Sequence, residues 1–256
     1  MELVILRIEL VEKLLSFCGR LVRRMRVLHC GYFDWIKKQC QIYQRSVGMS
    51  IERMLEILKE KGRTLEEFRK GDVIHVHNKM RSSYTYTLSE DPGTNFPTEF
   101  QPYFTPGDML AMGVFEGKYL NDCIEEFPAE WFLRAIALDK LRPQKPDVSV
   151  NYFQVKSRQS LSAWRKAGWV PGRGKDKRFG ILSDPKKNPD ERGWFQWYCR
   201  YWMGRRLPEL DAVQIGRWKA FRRHAGQIKA NCARGDLSCR PVQRQALLHW
   251  AHNPFL

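Results

Sequence analysis

A mostly α-helical chain, α+β with one small β-hairpin and room for two subdomains, is the fold class that the sequence predicts. Three observations predict it. Capped apolar stretches at helical spacing recur from Ser50 to Trp250, alternating β-branched and aromatic residues occur in one pair of short runs, and proline and glycine punctuate what lies between. With 256 residues, 43% of them apolar and 28% charged, the chain can bury a good core, and no apolar run reaches the roughly 18 residues that span a bilayer.

Residues 1–48 read as an amino-terminal helical extension. The apolar residues of Met1–Leu28 precede the cluster Arg20, Arg23, Arg24 and Arg26, the reverse of a secretory signal, and Glu2, Glu9 and Glu12 do not suit a transit peptide. A helix packed on the main domain, a membrane-surface helix and a working start near Met49 all remain open at this point.

Residues 49–147 read as an acidic helix and hairpin subdomain. Ser50 caps a helix carrying Ile51, Met54, Leu55 and Leu58 that stops at Gly62, and Thr64 with Glu67 has capping-box spacing for a second. Val73–His77 and Ser83–Leu88 flank Asn78–Arg81 as a hairpin. His75 and His77 share one strand face but have no third ligand nearby, so they read as an exposed polar face. Asp91–Pro106 is too proline-rich for regular structure and either wraps something or links two parts. Thr105 starts the next helix, Gly113–Cys123 gathers Phe115, Glu116 and Tyr119, and a helix with Trp131, Phe132 and Ala135 follows Pro128. Arg142–Asp147 marks a seam where the charge balance changes.

Carboxylates of the 108–126 region are the seed for any catalysis. Asp108, Glu116 and Asp122, with Glu125 and Glu126 close by, could supply a general acid and base or hold Mg2+ if two of them faced one cleft. The alternative is a solvated helical face.

Residues 148–256 read as a basic, aromatic-rich helical subdomain. From residue 151 onward the chain has 22 basic and 7 acidic residues, a net +15 of the whole chain's +16, against −4 in 49–150 and +5 in 1–48. Such concentration is the footprint of a phosphate-binding surface. Ser160–Trp169 reads as a short capped helix closed by Gly168, and Pro171–Arg178 as a basic loop without the Gly-Lys-Ser/Thr ending of a P-loop. Gly193–Arg206 packs six aromatics and three arginines into fourteen residues. There Trp194, Trp197, Tyr198 and Tyr201 share a helical face with Trp202 beside it, while Arg200, Arg205 and Arg206 stand at its flank and exit. Rings to stack on a base and guanidinium forks for phosphate are what a nucleic-acid surface needs, although rings at this spacing also build cores. From Pro208, Trp218, Phe221, Ala225 and Ile228 form an apolar stripe with Arg217, Arg222 and Arg223 outside it, and a last helix from Pro241 buries Leu247, Leu248 and Trp250.

Seven cysteines, an odd number in no regular framework, suit a reducing compartment, hence an intracellular protein of nucleus or cytoplasm. Cys232, Cys239, His249 and His252 are the candidates for a metal, but six residues between the cysteines and two between the histidines miss the spacing of structural zinc sites. No metal is expected there, and a Cys232–Cys239 disulfide or simple packing at a turn are the alternatives.

Gly193–Tyr201 with Gly204-Arg205-Arg206, Gln214-Ile215, Arg217-Trp218, Arg223-His224, Cys239-Arg240-Pro241 and Gly113–Tyr119 resembles an uncharacterised group of proteins of large DNA viruses, algae and fungi. The similarity runs from about Tyr84 to Trp250. It implies no activity and contributes no catalytic residue, but it makes a virus-infected cell a conceivable setting.

The expectation is a nucleic-acid-binding protein, DNA preferred over RNA, without a cofactor. An enzyme acting on nucleic acid, base-removing or strand-cleaving and with Mg2+ as its candidate cofactor, is the alternative, and a structural or protein-interaction module is the third. Oligomeric state is not legible.

Overall fold

The computed structural model of the protein describes residues 49–81, 83–172 and 180–256. The amino-terminal extension and most of the basic Pro171–Arg178 loop lie outside the described residues. Met49–Leu256 forms one compact unit.

Helix α1, Ile51–Lys61, begins where the Ser50 side chain accepts from the Arg53 N–H at 3.2 Å, and it buries Met54 and Leu58. Thr64 and Glu67 form a capping box, but it closes a single 3₁₀ turn, Leu65–Glu67, rather than a helix. Strands β1, Val73–Val76, and β2, Tyr84–Thr87, pair antiparallel with Val73 opposite Thr87. Their alternation works as expected. Ile74, Val76 and Tyr86 face the core while His75 faces out.

Helix α2, Pro106–Ala111, has the Thr105–Asp108 capping box and packs on α3, Ala129–Ala137, through Trp131, Phe132 and Ala135. Short helices α4, Leu161–Lys166, and α5, Gly180–Ser183, precede α6, Trp194–Trp202. The stripe read as one helix from Pro208 is two, α7, Pro208–Phe221, and α8, Arg223–Asn231, with Arg222 at the joint. Helix α9, Pro241–His249, closes the fold and buries Leu247 and Leu248.

The aromatic helix α6 is the centre of the core. The proline-rich 91–106 segment wraps it, laying Phe100 edge-on against Trp197, Tyr198, Tyr201 and Trp218 at centroid distances of 4.9 to 5.9 Å. Edge-to-face packing of this kind adds to what area burial alone supplies. Buried residues from both sides of Arg142–Asp147 belong to that one core, so the seam expected there is a change of surface charge and not a gap in packing.

Candidate nucleic-acid interface

The aromatic helix does not present its rings to a partner. Trp197 and Tyr198 are 0% exposed and Tyr201 is 3% exposed. Their polar tips are used internally: Trp197 Nε1 donates to Asp211 Oδ1 at 2.8 Å, and the Tyr198 hydroxyl donates to the Phe104 carbonyl at 2.7 Å. Trp202, half-buried, lies edge-on to Trp131 at 5.4 Å and under Gly93, where an added Cβ would come within 3.0 Å of its indole. Stacking on a base by Trp197, Tyr198 or Tyr201 is therefore corrected by burial, and the half-buried Trp202 is flanked by Trp131 and Gly93. The proline-rich segment occupies the face they would need.

The arginines of that helix are core counter-ions as well. Arg200, 0% exposed, donates from Nε and Nη2 to Glu126 at 2.5 and 3.1 Å and from Nη1 to Asp190 at 2.8 Å. Arg205 grips Asp190 with two bonds of 2.8 and 2.6 Å. Burial by itself would raise the Asp190 pKa, but the charges of Arg205 and Arg200 outweigh it and hold the carboxyl below its usual range. Arg206 donates to the carbonyls of Tyr201, Arg205 and Thr94, which closes the C-terminal end of α6. Phosphate binding by Arg200 and Arg205 is thus corrected, since both are sealed and paired.

What faces solvent instead is a cavity of about 560 Å³ between α4, α7 and α9 and the turn at Phe115. Of the aromatic helix, Trp194 and Phe195 reach it, and its more open rings are Trp164, Trp169, Phe221 and Trp250. Parallel rings build one wall, with Trp194 to Trp250 at 4.8 Å and 27° and Trp250 to Phe221 at 4.7 Å and 10°. Arg217 stands over Trp250 at 5.2 Å and Trp169 at 6.0 Å, donates to Gln214 Oε1 at 2.8 Å, and has its pKa lowered by burial. Arg158 and Arg223 also line the cavity, and among the described residues no carboxylate does. Arg222 and Arg223 are exposed at the α7–α8 joint, where Arg222 covers the Trp218 ring at 5.2 Å.

The cavity floor is a backbone under strain. Phe115 and Glu116 both sit in the left-handed region, at φ 56° and 61°, between Gly113 and Gly117. Those glycines are required by close approach, because a Cβ at Gly113 would meet the Val150 carbonyl at 1.9 Å. The turn pushes Phe115 against His249, with ring centroids 4.2 Å apart. His249 Nε2 accepts from the Phe115 N–H at 3.2 Å and from the Gln245 carboxamide at 3.0 Å, the Gln245 oxygen being taken by the Phe153 N–H. The imidazole proton therefore sits on Nδ1. Burial, then the charge of Arg158, lowers the His249 pKa to about 3.

The candidate carboxylates separate. Asp108 caps α2 and pairs with Arg134 at 2.7 Å, and Asp122 takes a bidentate grip from Arg192 at 2.7 and 2.8 Å. Both are corrected as partners in one acid–base or Mg2+ site, because each is committed elsewhere. Of the three, Glu116 stands by the cavity: it is buried, Oε2 accepts from Arg158 Nη2 at 2.9 Å, and Oε1 has no partner among the described residues. The metal candidates are likewise divided, with Cys232 and Cys239 joined as a disulfide, His249 held as above, and His252 bonded to the Trp218 carbonyl at 3.0 Å. Among the described residues no three His, Cys, Asp or Glu side chains converge to hold a metal ion.

A second hollow of about 280 Å³ brings Arg81, Lys186 and Lys187 beside Tyr84. Ion pairs to Glu191 and Glu209, at 3.6 and 3.4 Å, offset part of its charge.

Of the rings that line the cavity, Trp194 was among the stacking candidates of the sequence, while Trp164, Trp169, Phe221 and Trp250 were not. Trp164 and Trp169 offered one signal: two indoles five residues apart, one on a short helix and one just beyond its end, next to Arg165 and Lys166. No known protein family, characterised protein or solved structure matches the chain, and no described helix is long and apolar enough to cross a membrane.

Proposed function

We propose that the carboxyl-terminal half binds nucleic acid, DNA in preference to RNA, and takes an unpaired or extruded base into the aromatic cavity. One observation carries this reading: a hollow of about 560 Å³ that combines parallel indole and phenyl rings with Arg158, Arg217 and Arg223 and has no carboxylate among the described residues of its lining. Rings supply stacking that every base can use, and guanidinium groups at the rim supply phosphate contacts. The +15 charge beyond residue 150 adds long-range attraction. An intracellular setting, nuclear or cytoplasmic, goes with this function, as does the resemblance to proteins of large DNA viruses, algae and fungi.

Salt and fluorescence test it together. With about five phosphate contacts, affinity for DNA falls by roughly two to three decades between 50 and 200 mM salt. Single-stranded oligonucleotide quenches tryptophan emission, and Trp164→Ala removes much of the quench while costing about 1–3 kcal/mol of binding. Affinity indifferent to salt sinks the electrostatic half, and the absence of quenching sinks the cavity half.

A further inference from the structure

We propose that the smaller hollow beside the hairpin is a phosphate site, which holds one backbone phosphate of the strand whose base enters the aromatic cavity. The proposal rests on the reading that the cavity takes a base, and it adds a second point of contact.

Arg81, Lys186 and Lys187 reach this hollow of about 280 Å³ from two segments that the fold ties together, the turn of the hairpin and the Asp184–Asn188 turn. Arg81 Nη2 donates to the Pro185 carbonyl at 3.2 Å, and its guanidinium lies 5.6 Å from the centre of the Tyr84 ring. The lysine turn is held from within. The Asp184 carboxylate accepts from the Lys186 N–H at 2.8 Å, and the Asp184 carbonyl accepts from the Asn188 N–H at 2.8 Å. Asn188, itself buried, donates to the Leu182 carbonyl at 2.7 Å and accepts from the Asp190 N–H at 2.9 Å, so the turn is continuous with the sealed cluster of Asp190, Arg200 and Arg205. Cations carried on a fixed frame lose less freedom on capturing an anion than cations on a loose loop.

Not all of these donors are used inside the protein. Three cations face two acids, Glu191 at 3.6 Å from Arg81 and Glu209 at 3.4 Å from Lys187, and the second pair is exposed enough for water and salt to weaken it. The Lys186 ammonium and the Ser83 hydroxyl have no partner among the described residues. One positive charge in excess beside free donors suits a phosphodiester, which carries one negative charge and only accepts hydrogen bonds. The two sites also lie within reach of one strand. Pro189 lines the hollow and Gly193 lines the cavity, and four residues span at most about 14 Å. That is about four nucleotides at a rise of ~3.4 Å per charge on one strand. A strand of ten nucleotides reaches both sites, and a dinucleotide reaches one.

The full chain is titrated with dT2 and dT10, unlabelled for tryptophan quenching and with a 3′-fluorescein on dT10 for anisotropy. Lys186→Ala combined with Lys187→Ala weakens dT10 about fivefold at 50 mM salt and brings it near parity with the wild type at 500 mM, as a salt slope smaller by about 0.7 dictates for one single-strand phosphate. dT2 is unaffected. Both lysines are exposed, and a thermal melt checks that the variant folds. Should it melt early, Glu209→Gln decides instead: relieving Lys187 of its acid strengthens dT10 about twofold, and no change overturns the site. Adding a 5′-phosphate to dT10 changes its affinity by less than twofold, whereas a gain of fivefold or more that the lysine variant abolishes gives the hollow to a terminal phosphate and overturns the backbone contact. Equal loss on dT2 and dT10 shows the lysines acting through the general field and overturns the site. Unchanged dT10 binding does the same and leaves the base cavity standing. dT10 that binds without quenching, yet weakens in the lysine variant, overturns the base cavity and keeps the phosphate contact. No binding at all overturns both.

Discussion

Arg200 and Arg205 in the core and Arg158 and Arg223 at the cavity are the same side chain in opposite settings. The core pair shares two carboxylates, Glu126 and Asp190, with every charge sealed from water. At the cavity, one carboxylate stands behind Arg158 and the exposed Arg223 reaches toward solvent. Burial of a guanidinium is tolerable where carboxylates compensate its charge, so the core pair and the exposed Arg223 differ in what removing them should do. Loss of a core arginine strands an acid in a dry interior. Loss of the exposed Arg223 leaves the fold as it was and takes away a contact for a ligand, whereas loss of Arg158 also strands the buried Glu116.

The largest effect follows from the core. Arg200→Met leaves Glu126 without its bidentate partner, and Asp190→Asn removes the charge that Arg200 and Arg205 share. Each costs about 3–5 kcal/mol of unfolding free energy, measurable by denaturant titration. A loss under about 1 kcal/mol would mean that water reaches the cluster and that the contrast with the cavity is false.

The next effect divides the two regions by pH. His249, at the cavity, and His252, bonded to the Trp218 carbonyl, are held neutral by burial, with pKa values lowered to about 3 and about 4. Since their folded pKa values lie below the unfolded one, the unfolded chain takes up protons first as the pH falls below 6.5. Stability is then level above about pH 6.5 and declines toward pH 4, with a limiting slope of about 1.4 kcal/mol per pH unit for each histidine. Asp190 contributes in a lower window. Its pKa is depressed, so its stabilisation is present above the unfolded value near 3.9 and is lost as the pH falls through the folded one. Thermal melts from pH 8 to 3.5 check this, and His249→Gln, which keeps an acceptor for the Phe115 N–H and cannot titrate, lowers the slope by about half. A melt that stays level down to pH 4.5 would show both rings to be solvated.

The contrast also shows what was legible in the sequence. Capping residues act locally, so Ser50, Thr105 and Ser160 marked helix starts correctly, and the alternation of Ile74 and Val76 located the hairpin. Placing the arginines needed long-range information. Glu126 lies 74 residues from Arg200, and no local pattern says that the two will meet. The aromatic helix was visible, but helical spacing tells which rings share a face and not what covers that face. Here the covering came from Phe100, inside a loop with no periodicity of its own. Glu116 stood among five nearby acids in sequence, and it took the left-handed turn between Gly113 and Gly117 to set it apart from Asp108 and Asp122.

The smallest effect on stability, and the sharpest use of the contrast, comes from Arg222→Ala combined with Arg223→Ala. Both residues are exposed at the joint of α7 and α8, and no ion pair of the described residues involves either. Arg222 covers the Trp218 ring at 5.2 Å, so its loss removes a partly solvated cation–π contact worth about 0.5–1 kcal/mol, and Arg223 adds little more. Binding should respond far more. Two cations fewer lower the slope of log affinity against log salt by about 1.8 in magnitude, and the weakening is greatest at low salt. A filter-binding or anisotropy series from 50 to 200 mM salt, run beside a thermal melt, separates the outcomes. An unchanged salt slope with an intact melt removes these two arginines from the interface and leaves binding to the rest of the cavity lining. A melt that collapses would place them with Arg200 and Arg205 as parts of the fold, against the exposure that sets them apart.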